Sequence, residues 1–281
     1  MDYRAEMDIL RFAAFSDGDV GGNPAGVVLT SEMPETTHMQ RIAADVGYSE
    51  TVFAVAVGDR WRVRYFSPES EVPFCGHATI ALGAALAIQH GDNVYELELN
   101  DAAITVEGGH DGDSIVAALQ SPATTSQAAS QELVGEALAL FGYSSSDLDP
   151  RIAPALAEAG AKHLIVGLNT RSSLADMAYE LGAGRDFMNV AGVVTINLVY
   201  AETPQLIHSR NPFASGGVYE DPATGAAAAA LAGYLRDLNW PHGGQLSIVQ
   251  GEDMGMRSLL KAELSDETGS SIRVSGTVRL M

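Results

Sequence analysis

Two short runs set chemistry-bearing side chains beside signals for a helix start. One is Phe66-Ser67-Pro68-Glu69-Ser70-Glu71-Val72-Pro73-Phe74-Cys75-Gly76-His77-Ala78-Thr79; the other is Glu220-Asp221-Pro222-Ala223-Thr224-Gly225-Ala226. Each leads from a small-residue turn into an alanine-rich helical run. The first turn of a helix has N–H groups without intrahelical acceptors and carries the positive end of the helix dipole. Two such starts, one in each half of the chain, could face one cleft and hold an anionic small molecule. Gly76, Thr224, Gly225 and Ala226 are the candidates for backbone contacts to a substrate carboxylate, because glycine lets the main chain approach a ligand closely. Tight helix–strand packing accounts for the same glycines.

The side chains of these runs offer more. His77 falls in the first turn of the first alanine-rich helix. The dipole there favours a neutral imidazole, able to donate one hydrogen bond and accept another. A capping or packing histidine is the plainer alternative. Asp221 precedes Pro222, and Asp-Pro is also an ordinary helix-start signal. Cys75 invites a nucleophile reading, but His77 is its near neighbour in sequence and no third orienting group is evident. A thiol packed inside is the better reading. As the only cysteine, Cys75 excludes a racemase that needs a thiol on each face of the substrate carbon. Glu50, between Ser49 and Thr51, reads by itself as a turn residue, and Asn23-Pro24 as a turn signal. No phosphate loop and no His-Glu-x-x-His pair is present. The seven histidines are scattered without metal-ligand spacing. Neither a metal nor a nucleotide cofactor is expected.

The formal net charge is −20, from 36 acidic and 16 basic residues. That argues against nucleic acid as a partner, since phosphate binding needs a basic surface. It does not argue against an anionic small molecule, because helix dipoles can dominate inside a cleft. A single cysteine allows no intramolecular disulfide and suits the cytoplasm. The start, Met1-Asp2-Tyr3-Arg4-Ala5-Glu6, lacks the basic and apolar regions of a signal peptide. No apolar stretch is long enough for a transmembrane helix, so no membrane association is expected.

A length of 281 residues with 46% apolar residues suggests two domains. In the first half, strands are predicted over Ile9 to Ala14, Gly26 to Leu29, Thr51 to Val57 and Arg60 to Phe66. A helix over Glu35 to Val46 follows from apolar residues at Met39, Ile42, Ala43 and Val46. A second runs from Gly76 or His77 to about Gln89. A meander covers Tyr95 to Leu99, Ala103 to Glu107 and Ser114 to Leu119. Pro122 to Gln131 lacks apolar periodicity and reads as the boundary. Beyond it come a helix over Leu133 to Phe141, a strand over Lys162 to Leu168, a helix over Ser172 to Leu181 and a strand over Val193 to Val199. An alanine-rich helix over Thr224 to Leu238 follows, then strands over Leu246 to Gln250, Leu259 to Ser265 and Ile272 to Leu280. The two alanine-rich helices align without gaps, pairing Gly76 with Gly225, Ala81 with Ala230 and Leu82 with Leu231. Small residues on every face predict helices that sit deep inside, wrapped by strands. The fold expected is α+β: two similar domains, each with strands around a central helix, spanning residues 1–122 and 123–281. The strand near 272–281 is free to pack back onto the first.

Taken together, Gly22-Asn23-Pro24-Ala25-Gly26-Val27-Val28, Ser49-Glu50-Thr51-Val52-Phe53, Cys75-Gly76-His77-Ala78-Thr79, Glu220-Asp221-Pro222-Ala223-Thr224-Gly225 and Gln250-Gly251-Glu252-Asp253-Met254-Gly255 resemble the PhzF family. These are phenazine-biosynthesis-type isomerases of the diaminopimelate epimerase fold. The motifs occur in family order and cover nearly the whole chain. The resemblance implies a cofactor-independent isomerase, usually a homodimer, with its active site in an interdomain cleft. It implies a proton carrier at Glu50, moving a proton between carbons of a small carboxylated amino or hydroxy metabolite. Partial burial makes a carboxyl able to serve first as base and then as acid. It further implies cleft roles for His77 and Asp221, and a hydrogen-bonding role for Asn23. Two departures stand out. Ala226 occupies the place of a serine whose hydroxyl would join the carboxylate site, and the arginine expected soon after Met254-Gly255 is displaced, with Met256 there and Arg257 next. The reaction class therefore carries over further than the substrate. A binding or scaffold protein that keeps the fold without the reaction is the alternative.

Overall fold

Runs of apolar residues with period two and a helix apolar on every face dictate the first half of the chain. In a computed structural model, which describes residues 8–281, the chain divides into two units. Unit 1 runs up to Leu119 and includes Ser275–Met281; unit 2 is Gln120–Val274. The segment Met1 to Glu6, read above for a leader, lies outside the described residues.

Unit 1 holds β1 (Leu10–Ala14), β2 (Asn23–Thr30), α1 (Thr36–Val46), β3 (Glu50–Val57), β4 (Arg60–Phe66), β5 (Glu71–Val72), α2 (Gly76–His90), β6 (Asn93–Glu98), β7 (Ala103–Asp111) and β8 (Ser114–Gln120). β2 and β3 are parallel across the α1 crossover, and β4 and β6 are parallel across α2. The remaining neighbours β1–β2, β3–β4, β6–β7 and β7–β8 are antiparallel. The chain's last strand, Arg273–Leu280, lies beside β8 and pairs with β1 through Phe12↔Leu280, so the strands of this unit close on themselves. α1 is amphipathic: Met39, Ile42 and Ala43 pack on Val28, Phe53 and Phe66. Gly47 ends it at φ 72°, a left-handed C-cap.

α2 has no solvent face over most of its length; every residue from His77 to Ala87 is buried. Its small side chains let the strands close in. The closest approach is to β7, where a Cβ on Gly108 would stand 2.0 Å from the Gly83 carbonyl oxygen, and one on Gly83 would stand 2.7 Å from Val106 Cγ2. Glycine is required at this crossing for room rather than for backbone freedom.

Unit 2 repeats the plan. It holds β9 (Thr125–Ala128), α3 (Gln131–Phe141), β10 (Ala155–Glu158), β11 (Lys162–Gly167), α4 (Arg171–Ala175), α5 (Leu181–Ala191), β12 (Thr195–Ala201), β13 (Leu206–Arg210), β14 (Pro212–Phe213), β15 (Val218–Glu220), α6 (Gly225–Asp237), β16 (Gln245–Gln250) and β17 (Ser258–Glu263), and the last strand becomes β18 (Arg273–Leu280). Parallel pairs again flank the helical crossovers, β11 with β12 and β13 with β16. α6 is buried from Ala227 to Arg236. The fold is thus α+β, with two similar units, each wrapping strands around a central alanine-rich helix.

Two expectations need correction. The helix read over Ser172 to Leu181 is two helices, α4 and α5, with a break between them. Arg210 causes the break: its guanidinium donates to Ala175 O at 2.8 Å and Met177 O at 3.3 Å while pairing with both carboxylate oxygens of buried Glu220. Glu180 then caps α5, accepting from the N–H groups of Gly182 and Ala183. Gly182 and Gly184 hid α5 in the sequence, yet a Cβ at Gly184 would meet the Tyr179 ring at 2.3 Å. Second, Pro122 to Gln131 is not wholly irregular, because Thr125–Ala128 pairs with β10. An edge strand needs backbone partners, not apolar periodicity. Among the described residues no helix is long and apolar enough to cross a membrane.

Two predictions follow from this packing. Gly108→Ala destabilises unit 1 by about 3 kcal/mol or more, since the added methyl meets backbone that cannot move alone. Gly109→Ala, whose Cβ would first meet the Asp92 side chain at 3.4 Å, is the tolerated control; chemical denaturation compares them. The second concerns His163 on β11, fully buried with Nδ1 2.6 Å from Thr195 Oγ1. Burial lowers its pKa to about 4, while the unfolded chain takes up that proton near 6.5. Stability from this group is therefore complete above about pH 6.5 and is lost as pH falls towards 4, by about 3 kcal/mol in all. Denaturation of wild type and His163→Gln across that window should show the variant lacking this part of the slope.

Candidate active site

In unit 1 the start of α2 meets the start of β3. Cys75 is the α2 N-cap in an extended conformation, φ −143° and ψ 118°. The Cys75 carbonyl accepts from Thr79 twice, from its N–H at 3.0 Å and from its hydroxyl at 2.7 Å. Buried Tyr65 on β4 bonds Thr79 Oγ1 at 2.6 Å; burial raises the Tyr65 pKa well above the usual phenol range, against the Thr79 bond, which lowers it. This chain of contacts fixes the helix start, and with it His77.

His77 is 6% exposed and stands between a thiol and a carboxylate. Its Nδ1 lies 3.3 Å from Cys75 Sγ. Its Nε2 lies 3.3 Å from Ser49 Oγ and 3.5 Å from Glu50 Oε2. A neutral imidazole satisfies both sides, accepting from the thiol at Nδ1 and donating from Nε2. Glu50 opens β3, its side chain 17% exposed. Asn23 opens β2 and is buried; two residues on, Ala25 sits opposite Glu50 in the parallel register. The N–H groups of Gly76 and His77 belong to the first turn of α2, ahead of any intrahelical acceptor.

In unit 2 the start of α6 is built differently, from neutral hydrogen-bonding groups around Thr224. The Thr224 hydroxyl accepts from Asn211 Nδ2 at 2.5 Å and from Gln250 Nε2 at 3.1 Å, and donates to Asp221 Oδ2. Its one donor and two acceptor positions are all used. Gln250 also accepts from the Thr224 N–H at 3.2 Å and donates to the Asp221 carbonyl at 2.7 Å. The Thr224 N–H is therefore engaged, and the first-turn groups of α6 available to an anion are those of Gly225 and Ala226. Gly251, at φ 73°, closes the turn after Gln250; a Cβ there would meet Met256 O at 2.4 Å and Pro222 O at 2.8 Å. Arg257, the displaced arginine, pairs with Glu252 at 2.5 Å.

Sequence reasoning brought Glu50, His77 and Cys75 into view separately; the structure groups them. It passed over Ser49, Asn211 and Gln250 as individual residues. One signal was present for Asn211: Arg210-Asn211-Pro212 follows β13 as Phe66-Ser67-Pro68 follows β4, an echo in the same place in each unit.

The model of the phenazine biosynthesis-like protein family, PhzC-PhzF, matches residues 12–280. A trans-2,3-dihydro-3-hydroxyanthranilate isomerase from Pseudomonas chlororaphis is 32% identical over 94% of this chain and 93% of its own length. The protein of the same name from Pseudomonas aeruginosa is 30% identical over 94% and 93%. Among solved structures, a phenazine biosynthesis protein of the PhzF family from Bacillus anthracis superposes with a TM-score of 0.85 at 22% identity, covering 98% of this chain and 97% of that one. A hydroxyproline epimerase from Agrobacterium vitis shares the fold at TM-score 0.61 and 10% identity, covering 98% and 89%. The chain belongs to the phenazine biosynthesis-like family, and it is an isomerase.

The saturation of Thr224 makes a direct prediction. Thr224→Val removes the acceptor of Asn211 Nδ2 and one contact each of Gln250 Nε2 and Asp221 Oδ2, and costs about 2–3 kcal/mol. Thr224→Ser keeps the hydroxyl and loses less than about 1 kcal/mol. Denaturant midpoints at constant slope check both.

Proposed function

We propose that this isomerase moves a proton between two carbons of a small, carboxylated amino or hydroxy metabolite, with Glu50 as the proton carrier and no cofactor. The observation that carries the reading is the contact between Glu50 and His77 at the fixed start of α2. In the first step the Glu50 carboxylate takes a proton from a substrate carbon, and the C–H electron pair delocalises into the substrate. In the second the Glu50 carboxyl returns that proton to another carbon, and the electron pair forms the new C–H bond. No electron leaves the substrate, so no redox partner is needed. His77, with Nε2 3.5 Å from the carboxylate, holds it in place.

The substrate carboxylate is assigned to the first-turn N–H groups of Gly225 and Ala226 of α6; Gly76 heads the same kind of turn in α2. Such fixed dipoles stabilise developing negative charge without reorganising. Thr224 acts by shaping the start of α6. Asp221 is assigned to a substrate amine or hydroxyl, and Asn23 to a further polar group. With Ala226 in place of a hydroxyl residue, the carboxylate is held by backbone groups alone. The two curated relatives are named for a substrate that carries amino, hydroxyl and carboxylate groups on one ring, and that class is the one proposed here. Free, buried Cys75 suits a reducing compartment, so the cytoplasm is the proposed location, and a homodimer is the proposed assembly, measurable by light scattering.

The test is turnover in deuterated water, followed by NMR, on a panel of cyclic and acyclic amino- and hydroxy-carboxylates including trans-2,3-dihydro-3-hydroxyanthranilate. Wild type is expected to give isomerised product or C–H to C–D exchange with at least one member. Glu50→Gln should lose at least about 100-fold in rate, the lower end of what a positioned general acid or base supplies. A Glu50→Gln enzyme with wild-type turnover sinks the mechanism.

A further inference from the structure

His77 has neighbours at both ring nitrogens, and the two sides differ in kind. Cys75 Sγ lies 3.3 Å from Nδ1 and 4.0 Å from Nε2, so the thiol belongs to Nδ1. Ser49 Oγ at 3.3 Å and Glu50 Oε2 at 3.5 Å lie at Nε2. A neutral imidazole carries one ring proton, and these neighbours bear on which nitrogen keeps it. A carboxylate only accepts: a proton on Nε2 attracts it, and a lone pair there repels it. A serine hydroxyl suits either case, since it can donate or accept. An S–H that donates to Nδ1 needs the lone pair there, and so requires the proton on Nε2. Thiol and carboxylate, at different nitrogens, thus favour one and the same tautomer.

The place of Cys75 in the fold points the same way. It is the N-cap of α2, a position that favours Ser, Thr, Asp or Asn because their oxygens accept from first-turn N–H groups. Among the described residues the Cys75 side chain makes no capping hydrogen bond. The helix start is held instead through the Cys75 carbonyl, which accepts from the Thr79 N–H and hydroxyl. The thiol is turned to His77, and both residues are buried. A side chain that does not cap its helix can be changed without undoing the helix start.

We propose that Cys75 is a positioning residue: its S–H donates to His77 Nδ1 and thereby keeps the ring proton on Nε2, facing Glu50. No covalent bond forms or breaks. With the proton so placed, the carboxylate that starts the cycle meets a donor rather than a lone pair and keeps its position. The tautomer half rests on geometry alone; the kinetic half rests on the role of Glu50 proposed above.

The experiment is nitrogen NMR at neutral pH on the full-length protein with isotope-labelled histidine, the His77 signals being assigned as those lost in His77→Gln. Long-range proton–nitrogen correlations tell a protonated ring nitrogen from a bare one. Wild type is expected to show a protonated Nε2 and a bare Nδ1. Cys75→Ala should raise the share of Nδ1–H by about five-fold, the worth of one ordinary hydrogen bond. Cys75→Ser, which keeps a donor, should hold the wild-type ring state. Nδ1–H in wild type, a doubly protonated ring in wild type, or one ring state shared by wild type and Cys75→Ala overturns the proposal. Should Cys75→Ala fail to fold by circular dichroism, Cys75→Val, which fills the place of the thiol without a donor, takes its part. On whichever panel substrate turns over, Cys75→Ala should lower kcat about five-fold with KM within about two-fold, and Cys75→Ser should recover most of the loss. Equal kcat in wild type and Cys75→Ala, or an equal loss in the alanine and serine variants, overturns the kinetic half; the equal loss marks a packing role. A ring state that changes in Cys75→Ala alongside a fully active Glu50→Gln leaves the tautomer assignment standing and removes the proton-carrier reading. An inactive Glu50→Gln alongside an unchanged ring state does the reverse.

Discussion

The enclosure of a helix by strands on all sides is the constraint on which each unit depends. A helix buried all round cannot be amphipathic, so α2 and α6 are built from Ala, Gly, Leu and Ile, with polar residues only where a partner waits. Arg236 is the informative exception in α6: it is buried, and its guanidinium donates to Ser270 and Thr124 near the helix C-terminus. Small side chains bring backbone against backbone, as Gly83 and Gly108 do. A helix seated that tightly cannot shift along its axis or rotate. Its first turn therefore becomes a fixed set of N–H groups and side chains, which is what a site made of dipoles and one imidazole requires.

Much of this was legible in the sequence. The alanine-rich runs gave both central helices within a residue or two of their ends, since lack of a polar face is itself a pattern. Period-two runs located most strands of unit 1. The failures have a common physical cause: backbone and side-chain hydrogen bonds that override composition. Arg210 ends α4 from a distant strand, and Glu180 starts a glycine-bearing α5 that propensity alone disfavours. β9 is polar and holds its place by pairing with β10 rather than by burying side chains. No local pattern encodes such long-range partners.

The site divides along the same line. Residues embedded in a motif, Glu50, Cys75, His77, Asp221 and Thr224, could be found one by one. Their grouping could not, because it follows from strand register and from where each helix starts. Ser49 reaches His77 only because β3 begins beside the α2 cap. Asn211 and Gln250 reach Thr224 only because β13 and β16 are parallel neighbours across the α6 crossover. Sequence supplies the groups, and topology decides which of them meet.

The two helix starts, alike in backbone, differ in chemistry. At α6 the surrounding side chains are mostly neutral and converge on one hydroxyl, with Asp221 held by it; such a network holds its members in one arrangement. At α2 the surrounding groups are titratable and adjacent: thiol, imidazole and carboxylate in sequence across one ring. Under the proposed function that adjacency is what a proton-transfer site needs and a binding site does not. The two units thus carry two copies of one helix-start scaffold. Under the proposed function, one copy kept rigid recognition, and the other acquired groups able to exchange protons.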